Sequence, residues 1–509
     1  MPRSDLPPWF FLNSGRHATW LVLGGVMLVF LVMRVPLMYR QPGGQDEEWF
    51  AVPGYTVAQE GVPRLPFVPS RDRQCVFYRA DEAVFALPPA YFYWQAPFFL
   101  ALPAGYGTAR MASAAAGLIA IWLVYRLGRA LYDDVAAGLW AAGLYGLSRV
   151  FFFAATCARP DMLCATLSLV ALWMTWRWQT SGRLRWIACA GILVGLAVLT
   201  HPLGAVVSLQ TGVWVAVVGC GWKHRARSLA LLVGLALAAF ALWMPLIAMY
   251  PEAFQVQFFN NVLNRTGPGL ASRMLFPWHL LAYQAKVLWV HAQPIQFILM
   301  VAALLAATLI DVRRAETGPR TALAVAWSGI YLLASTAGLH PSNGYWSYPG
   351  ALVFLLVGRV VSWACRRWSE ARPAWVPLTL PAGLVLAALM IPGFGLRAWV
   401  AHVRHWSDPD HNVVAFTRHM LQQYPDDARL AVDQAFVFES YLAGRPTLLA
   451  CEEPFYFRLS DFEYDYLIVG PYGRQVRIAE VLPVELIRTH GNADDLFACY
   501  AQVYRHVSD

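Results

Sequence analysis

Charge is scarce in this 509-residue chain: 14% of its residues are Asp, Glu, Lys or Arg, against 58% hydrophobic. That balance excludes a water-soluble protein of this size, in which about a quarter of the residues would be charged. Other absences narrow the function. None of the eight cysteines forms a C-x-x-C pair, so neither a zinc knuckle nor a thioredoxin-like redox motif is present. There is no glycine-rich strand-to-helix turn to cradle a nucleotide-sugar. No small-residue cleavage pattern precedes Asp46, so the first apolar run reads as an uncleaved span. The net charge of +8 does not signal nucleic acid, because the basic residues stand in short clusters between apolar runs, as topology signals do.

What the chain has in abundance is long apolar runs. Crossing a bilayer takes about 20 predominantly apolar residues. Spans are predicted at 19–38, 109–125, 136–156, 162–176, 186–199, 203–218, 229–248, 287–310, 322–339, 348–363 and 376–391, about eleven in all. The basic clusters (Arg126 and Arg129; Arg177, Arg183 and Arg185; Lys223, Arg225 and Arg227; Arg313, Arg314 and Arg320; Arg366, Arg367 and Arg372) then share one side with the N-terminus. The positive-inside rule makes that side cytoplasmic, in a multi-pass protein of the inner membrane. The opposite face receives the long first loop, the turns "CARPDM" and "LTHPLG", the large loop from Tyr250, the loop "HPSNGYWSYPG" and the C-terminus.

One apolar stretch, "VFALPPAYFYWQAPFFLALPAG", strains this map, because counting it as a span inverts everything after it. Its prolines 88, 89, 97 and 103 interrupt helical bonding and its aromatics suit a headgroup belt. Surface-lying amphipathic helices are expected there. From about Arg397 the composition turns ordinary: "RLAVDQAF", "FEYDYLIVG" and "LFACYAQVYR" read as strands and "NVVAFTRHMLQQY" as an amphipathic helix. The expected fold is therefore an α-helical polytopic membrane protein over residues 1–394, with a small extracytoplasmic α/β domain over 395–509. Cys451 and Cys499, both in that domain, leave a disulfide open.

Two polar signals stand at span ends on the outer face. Three consecutive acids, Asp46, Glu47 and Glu48, follow the first span, and Arg159 and Asp161 flank Pro160 where another begins. Each has an ordinary alternative: a loop after a span carries solvated acids, and a proline followed by an acid is common helix-start chemistry. Their recurrence at the ends of separate spans on one face is what favours a site.

The order "DEEWF", "LPPAYFYWQAP", "ARMASAAAGLIAIWLVYRLGRALYDD", "ARPDM" and "LAVLTHP" resembles the C-type integral-membrane glycosyltransferases. Within them it is most similar to the branch of protein O-mannosyltransferases and lipid A aminoarabinose transferases, over roughly residues 34–202. The resemblance implies transfer of a sugar from a polyprenyl-phosphate carrier to a lipid, glycan or protein acceptor. Asp46 then takes the place of a general base, Glu47 supports it, and Asp161 orients Arg159, the acceptor or the first loop. Arg159 is placed as a phosphate clamp, with His201, Arg265, Arg273, Lys286, His340, Tyr345 and Tyr348 as further donor-phosphate ligands. Histidine-end, lipid-headgroup and interfacial-anchor roles stay open for the last seven.

The chain departs from that pattern twice. Leu87 stands before Pro88 and Pro89 where aminoarabinose-type relatives carry Lys, and the fourth outer loop offers Asn260, Asn261 and Asn264 where relatives place a metal-binding His. Asn is a poor zinc ligand, so no obligatory metal is expected; a hard divalent ion on Asp46 or Glu48 stays open. A transporter or flippase of a lipid-linked sugar is the rival reading. The absence of an internal repeat, and the polar residues gathered at one face, count against it.

Overall fold

The computed structural model describes residues 16–44, 46–218, 221–264, 269–313, 316–339, 343–371, 379–391 and 393–507. It is largely helical, with a small sheet near the C-terminus. Among the described residues, five helices are long and apolar enough to cross a membrane: Thr19–Met38, Tyr106–Tyr132, Trp222–Met249, Pro294–Asp311 and Asn343–Trp368. A bent pair, Val135–Leu147 and Arg149–Thr156, makes a sixth if it is one span, and Leu184–Thr200 and Gly204–Val217 are shorter apolar helices. Small residues let these helices approach closely. A Cβ on Gly128 would lie 3.0 Å from the Cα of Gly138, and one on Gly138 would lie 2.7 Å from the Tyr125 carbonyl. Any larger residue pushes the two backbones apart.

Two predicted spans are interrupted. The run at 136–156 bends by 59° because Ser148 turns extended and its Oγ caps the next helix at the Phe151 N–H. The run at 287–310 breaks at Gln293, whose φ of 72° precedes Pro294 at the start of a new helix. Proline lacks the N–H that a continuing helix would need, so it opens helices better than it extends them. The long first loop contains two helices, Glu48–Glu60 and Ala90–Ala101, both shorter than a span requires.

The C-terminal sheet has five strands in the spatial order Thr447–Leu449, Leu430–Val432, Tyr466–Val469, Tyr500–His506, Val484–Gly491. The first three run parallel, and Tyr500–His506 pairs antiparallel with both Tyr466–Val469 and Val484–Gly491. The helix Val413–Leu421 begins where Asn412 caps the Val414 and Ala415 N–H groups. This unit sits directly on the first loop. Gly43 donates to the Ala435 carbonyl (3.0 Å), Tyr106 Oη to the Gln434 carbonyl (2.6 Å), Leu449 to Phe67 (3.0 Å) and Val76 to Phe455 (2.8 Å). One apolar core runs through both: Trp49 stacks on Phe77 at 4.1 Å and Phe438 meets Tyr55 and Tyr106 edge-on. Cys451 and Cys499 are free thiols, each buried and pushed up to about 12 by that burial, so the sheet is held by packing rather than by a bridge between them.

Candidate active site

Arg159 lies in the turn between the helices Arg149–Thr156 and Asp161–Ser181, with its side chain 6% exposed. Its Nη1 is 2.5 Å from Asp46 Oδ2 and its Nε is 2.9 Å from Asp161 Oδ2, so one guanidinium joins a carboxylate from each of the two separate connections. The planar fork of arginine permits this two-sided grip, which the single point charge of lysine does not. Burial opposes the charged form, but the Asp161 and Asp46 charges outweigh it and hold the guanidinium above its ordinary pKa. The Arg159 carbonyl accepts from Ser113 Oγ (3.3 Å), and Ser113 is hydrogen-bonded to Tyr91 at 2.6 Å. The arginine is thus fixed from behind by a buried chain from the helices Ala90–Ala101 and Tyr106–Tyr132.

The three consecutive acids go three separate ways. Asp46 adopts a φ of 67°, in the left-handed region that Asp tolerates better than most residues, and its side chain is 59% exposed. Glu47 turns inward onto Arg110, with Nε to Oε1 at 2.8 Å and Nη2 to Oε2 at 2.5 Å, and also accepts from the Ala158 N–H at 2.7 Å. Arg110 spends its remaining donors on the carbonyls of Met38, Gln41 and Pro42, so this pair pins the end of the first span to the turn that carries Arg159. Glu48 is buried, and its Oε2 has no hydrogen-bond partner. Burial, then the Asp46 charge, pushes Glu48 well above the usual carboxylate range. Of the two acids weighed as ligands for a hard cation, Asp46 is therefore the more available.

A small cavity of ≈20 Å³ lies beside Asp161, lined also by His201, Tyr345 and Tyr348. Such a space holds about one water molecule. Asp161 Oδ1, buried and without a hydrogen-bond partner, borders it. His201 accepts the Leu203 N–H at Nδ1 (3.1 Å) and faces the Tyr345 ring at 5.2 Å. Burial lowers its pKa to about 4, so the imidazole is neutral at physiological pH and offers an N–H rather than a charge. Tyr348 Oη donates to Gln210 at 2.5 Å. Gly344 abuts Asp161 so closely that a Cβ there would lie 2.3 Å from Oδ2.

The structure thus gathers Asp46, Glu47, Arg159, Asp161, His201, Tyr345 and Tyr348. Arg273, on the short helix Leu270–Leu275, reaches the end of the helix Thr317–Ala337, its Nη1 donating to the Thr336 carbonyl at 3.4 Å, and Lys286 is exposed on the helix Trp278–Ala292. Arg265 and His340 lie outside the described residues, as do the surroundings of the Asn264 side chain. Asn260 and Asn261 bind backbone: Asn260 donates to the carbonyls of Arg73 and Cys75, and Asn261 to that of Ala86. Together with the Arg73 and Arg79 pairs to Glu252, they stitch the segment that follows Tyr250 to the long first loop. Arg110 is a buried residue of this cluster to which the sequence assigned no role. Its signal was a cation four residues inside an apolar helix, a position that calls for a buried partner.

Comparison with known proteins follows the same lines. The family described as dolichyl-phosphate-mannose-protein mannosyltransferase matches residues 87–248. The fold is similar to that of ArnT from Cupriavidus metallidurans, solved bound to undecaprenyl phosphate: 16% identity, 96% of this chain and 98% of that one covered, TM-score 0.61. The apo form of the same protein aligns with a TM-score of 0.60, at 16% identity over 96% of this chain and 98% of that one. The Archaeoglobus fulgidus oligosaccharyltransferase aligns over 93% of this chain and 72% of its own length, at 14% identity and a TM-score of 0.55. Among curated proteins, none matches by sequence. The chain has the C-type integral-membrane glycosyltransferase fold, with several apolar helices and a small C-terminal sheet.

Proposed function

We propose that this chain is a membrane glycosyltransferase that moves a sugar from a polyprenyl-phosphate carrier to an acceptor hydroxyl on the exoplasmic face of the inner membrane. The observation that carries the reading is the Arg159 guanidinium between Asp46 and Asp161. A lipid-phosphate sugar already has a leaving group, so the protein has to deprotonate an acceptor and tolerate charge on the departing phosphate. Asp46, the exposed member of the trio, is the general base. It takes the hydroxyl proton as the acceptor oxygen bonds to the anomeric carbon, while the bond from that carbon to the phosphate oxygen breaks and its electron pair leaves with the carrier. One displacement inverts the anomeric centre.

In this reading Arg159 and Asp161 aim Asp46, and Glu47 with Arg110 fixes the loop that carries it. A single cation shared by two carboxylates leaves the trio with a net negative charge, so phosphate charge falls to other groups. Arg273 and Lys286, together with Arg265 and His340, are assigned there, and the neutral His201 and the phenols of Tyr345 and Tyr348 contribute hydrogen bonds. Residues 395–509 are assigned as an extracytoplasmic unit that shapes the acceptor side. The supporting facts are the shared fold and the family match over residues 87–248.

The test is reconstitution of the purified protein in vesicles with a polyprenyl-phosphate sugar and an added hydroxyl acceptor. Wild type is expected to form a glycosylated product with inverted configuration, and Asp46→Asn to lose about 10²–10⁴-fold in turnover with donor binding retained. Lipid scrambling with no covalent product, or an active Asp46→Asn, overturns the assignment.

A further inference from the structure

Between the last helix and the C-terminal sheet lies a second polar cluster that the proposed reaction does not use. The stretch "HVRHWSDPDH" places His402, His405, Asp408 and His411 at three-residue intervals. The helix Gly393–Arg404 ends just before His405, and a 3₁₀ turn, Pro409–His411, follows. That turn folds His411 back so that its ring stacks on His405 at 4.4 Å and 11°. Both Nδ1 atoms then face one carboxylate oxygen: Asp408 Oδ2 is 3.1 Å from His411 Nδ1 and 3.8 Å from His405 Nδ1. These three ligand atoms lie within 4.8 Å of one another.

Tetrahedral zinc with bonds of about 2.0–2.2 Å sets its ligand atoms about 3.3–3.6 Å apart, a value bracketed by the two distances here. On its other side His411 Nε2 lies 3.2 Å from Asp495 Oδ2. That approach does not have hydrogen-bond geometry, whereas His411 Nδ1 is hydrogen-bonded to Asp408 Oδ2. A divalent ion that displaces the proton shared by Nδ1 and Asp408 Oδ2 would take this nitrogen and this oxygen as neighbouring ligands. A third imidazole, His402, packs edge-on against His411. Its Nδ1 bonds the Ala398 carbonyl, so Nδ1 carries the hydrogen and Nε2, buried and without a hydrogen-bond partner, is left as an acceptor.

The backbone behind the cluster is already organised. Arg40, at the end of the first span, donates to the carbonyls of His405 (3.4 Å), Asp408 (3.5 Å) and His411 (3.2 Å), the same three residues whose side chains converge. Its positive charge opposes a bound cation, and the Asp408 and Asp495 carboxylates offset it. Mixed nitrogen and oxygen donors, two of them imidazoles, suit a borderline-soft divalent ion rather than magnesium or calcium.

The geometry points to a structural binding site for a zinc-class divalent cation, formed by His405, Asp408 and His411 with Asp495 behind His411. The ion clasps the last helix and the C-terminal unit around Arg40. It also steadies one wall of a cleft of ≈890 Å³ that is lined by Arg40, Trp406, Asn412, Arg418 and Glu439.

The experiment uses the full chain in detergent, stripped with a chelator, desalted and titrated with zinc chloride against a competing dye. One equivalent is expected to bind to wild type with at least tenfold higher affinity than to His405→Ala, and to raise the melting temperature of wild type alone. His405 is half-exposed, so its truncation leaves the fold intact. X-ray absorption of the wild-type zinc complex reads the same question without a variant: a first shell of nitrogen and oxygen with two imidazoles supports the site, and a sulfur shell overturns it. Equal zinc affinity in wild type and His405→Ala means an adventitious ion only and also overturns it. Failure of wild type to bind one equivalent ends the proposal.

Discussion

Glu47 and Arg110, 63 positions apart, close a two-point ion pair inside the protein, with both side chains about 5% exposed or less. The pair matters because Asp46 is the residue just before Glu47. Arg110→Met leaves the glutamate buried and unpaired, which is expected to lower stability by about 3–5 kcal/mol. Adding Glu47→Leu should restore much of that stability but not transfer activity, since Ala158 loses its acceptor and Asp46 its anchor. Thermal unfolding and a transfer assay on the single and double variants separate the two effects.

Arg159→Lys preserves charge and abolishes the fork that reaches both carboxylates. Turnover should fall at least tenfold, and Arg159→Lys combined with Asp161→Asn should be no worse than the single change, because both act by aiming Asp46. Additive losses would show that Asp161 has a separate role.

Gly344→Ala would set a methyl group 2.3 Å from Asp161 Oδ2. The carboxylate has to move, at a cost of about 1–3 kcal/mol for the overpacked site. The expected signature is a drop in kcat with donor KM changed little, measured on the purified variant.

His201 gives a pH dependence with a definite sign. Its folded pKa of about 4 lies below the ordinary imidazole value, so the unfolded chain binds the extra proton. Its contribution is fully present above about pH 6.5 and is lost as pH falls toward 4, about 3 kcal/mol in all. Melting temperatures from pH 7 to 4.5 should show a shallower decline in His201→Gln than in wild type.

The polar residues that the structure gathers were visible in the sequence for one reason: a charge beside an apolar run stands out. Asp46, Arg159 and Asp161 each sit within a few residues of a helix end, and the helix Val413–Leu421 showed its apolar stripe. Contacts across long separations were not visible. Nothing local marks Glu47 for Arg110, or separates the fate of Glu47 from that of Glu48. The strand Val484–Gly491 was missed because it is an edge with mostly exposed side chains, so no alternation of apolar and polar residues betrays it. The breaks at Ser148 and Gln293 were hidden by apolar residues on both sides, where hydropathy reports composition and not backbone direction.

The hydrogen bond from Gly43 to the Ala435 carbonyl has a bearing on how the molecule is made. The segment just ahead of Asp46 leaves the ribosome early, yet the strand-and-helix unit it rests on is translated nearly four hundred residues later. Until then its apolar side, Trp49 and Phe77 among others, has no cover, and the loop waits unfinished at the bilayer edge. Assembly of the pocket is therefore a closing event of biosynthesis, and a chain terminated at residue 394 would insert its helices yet never complete the loop that presents Asp46.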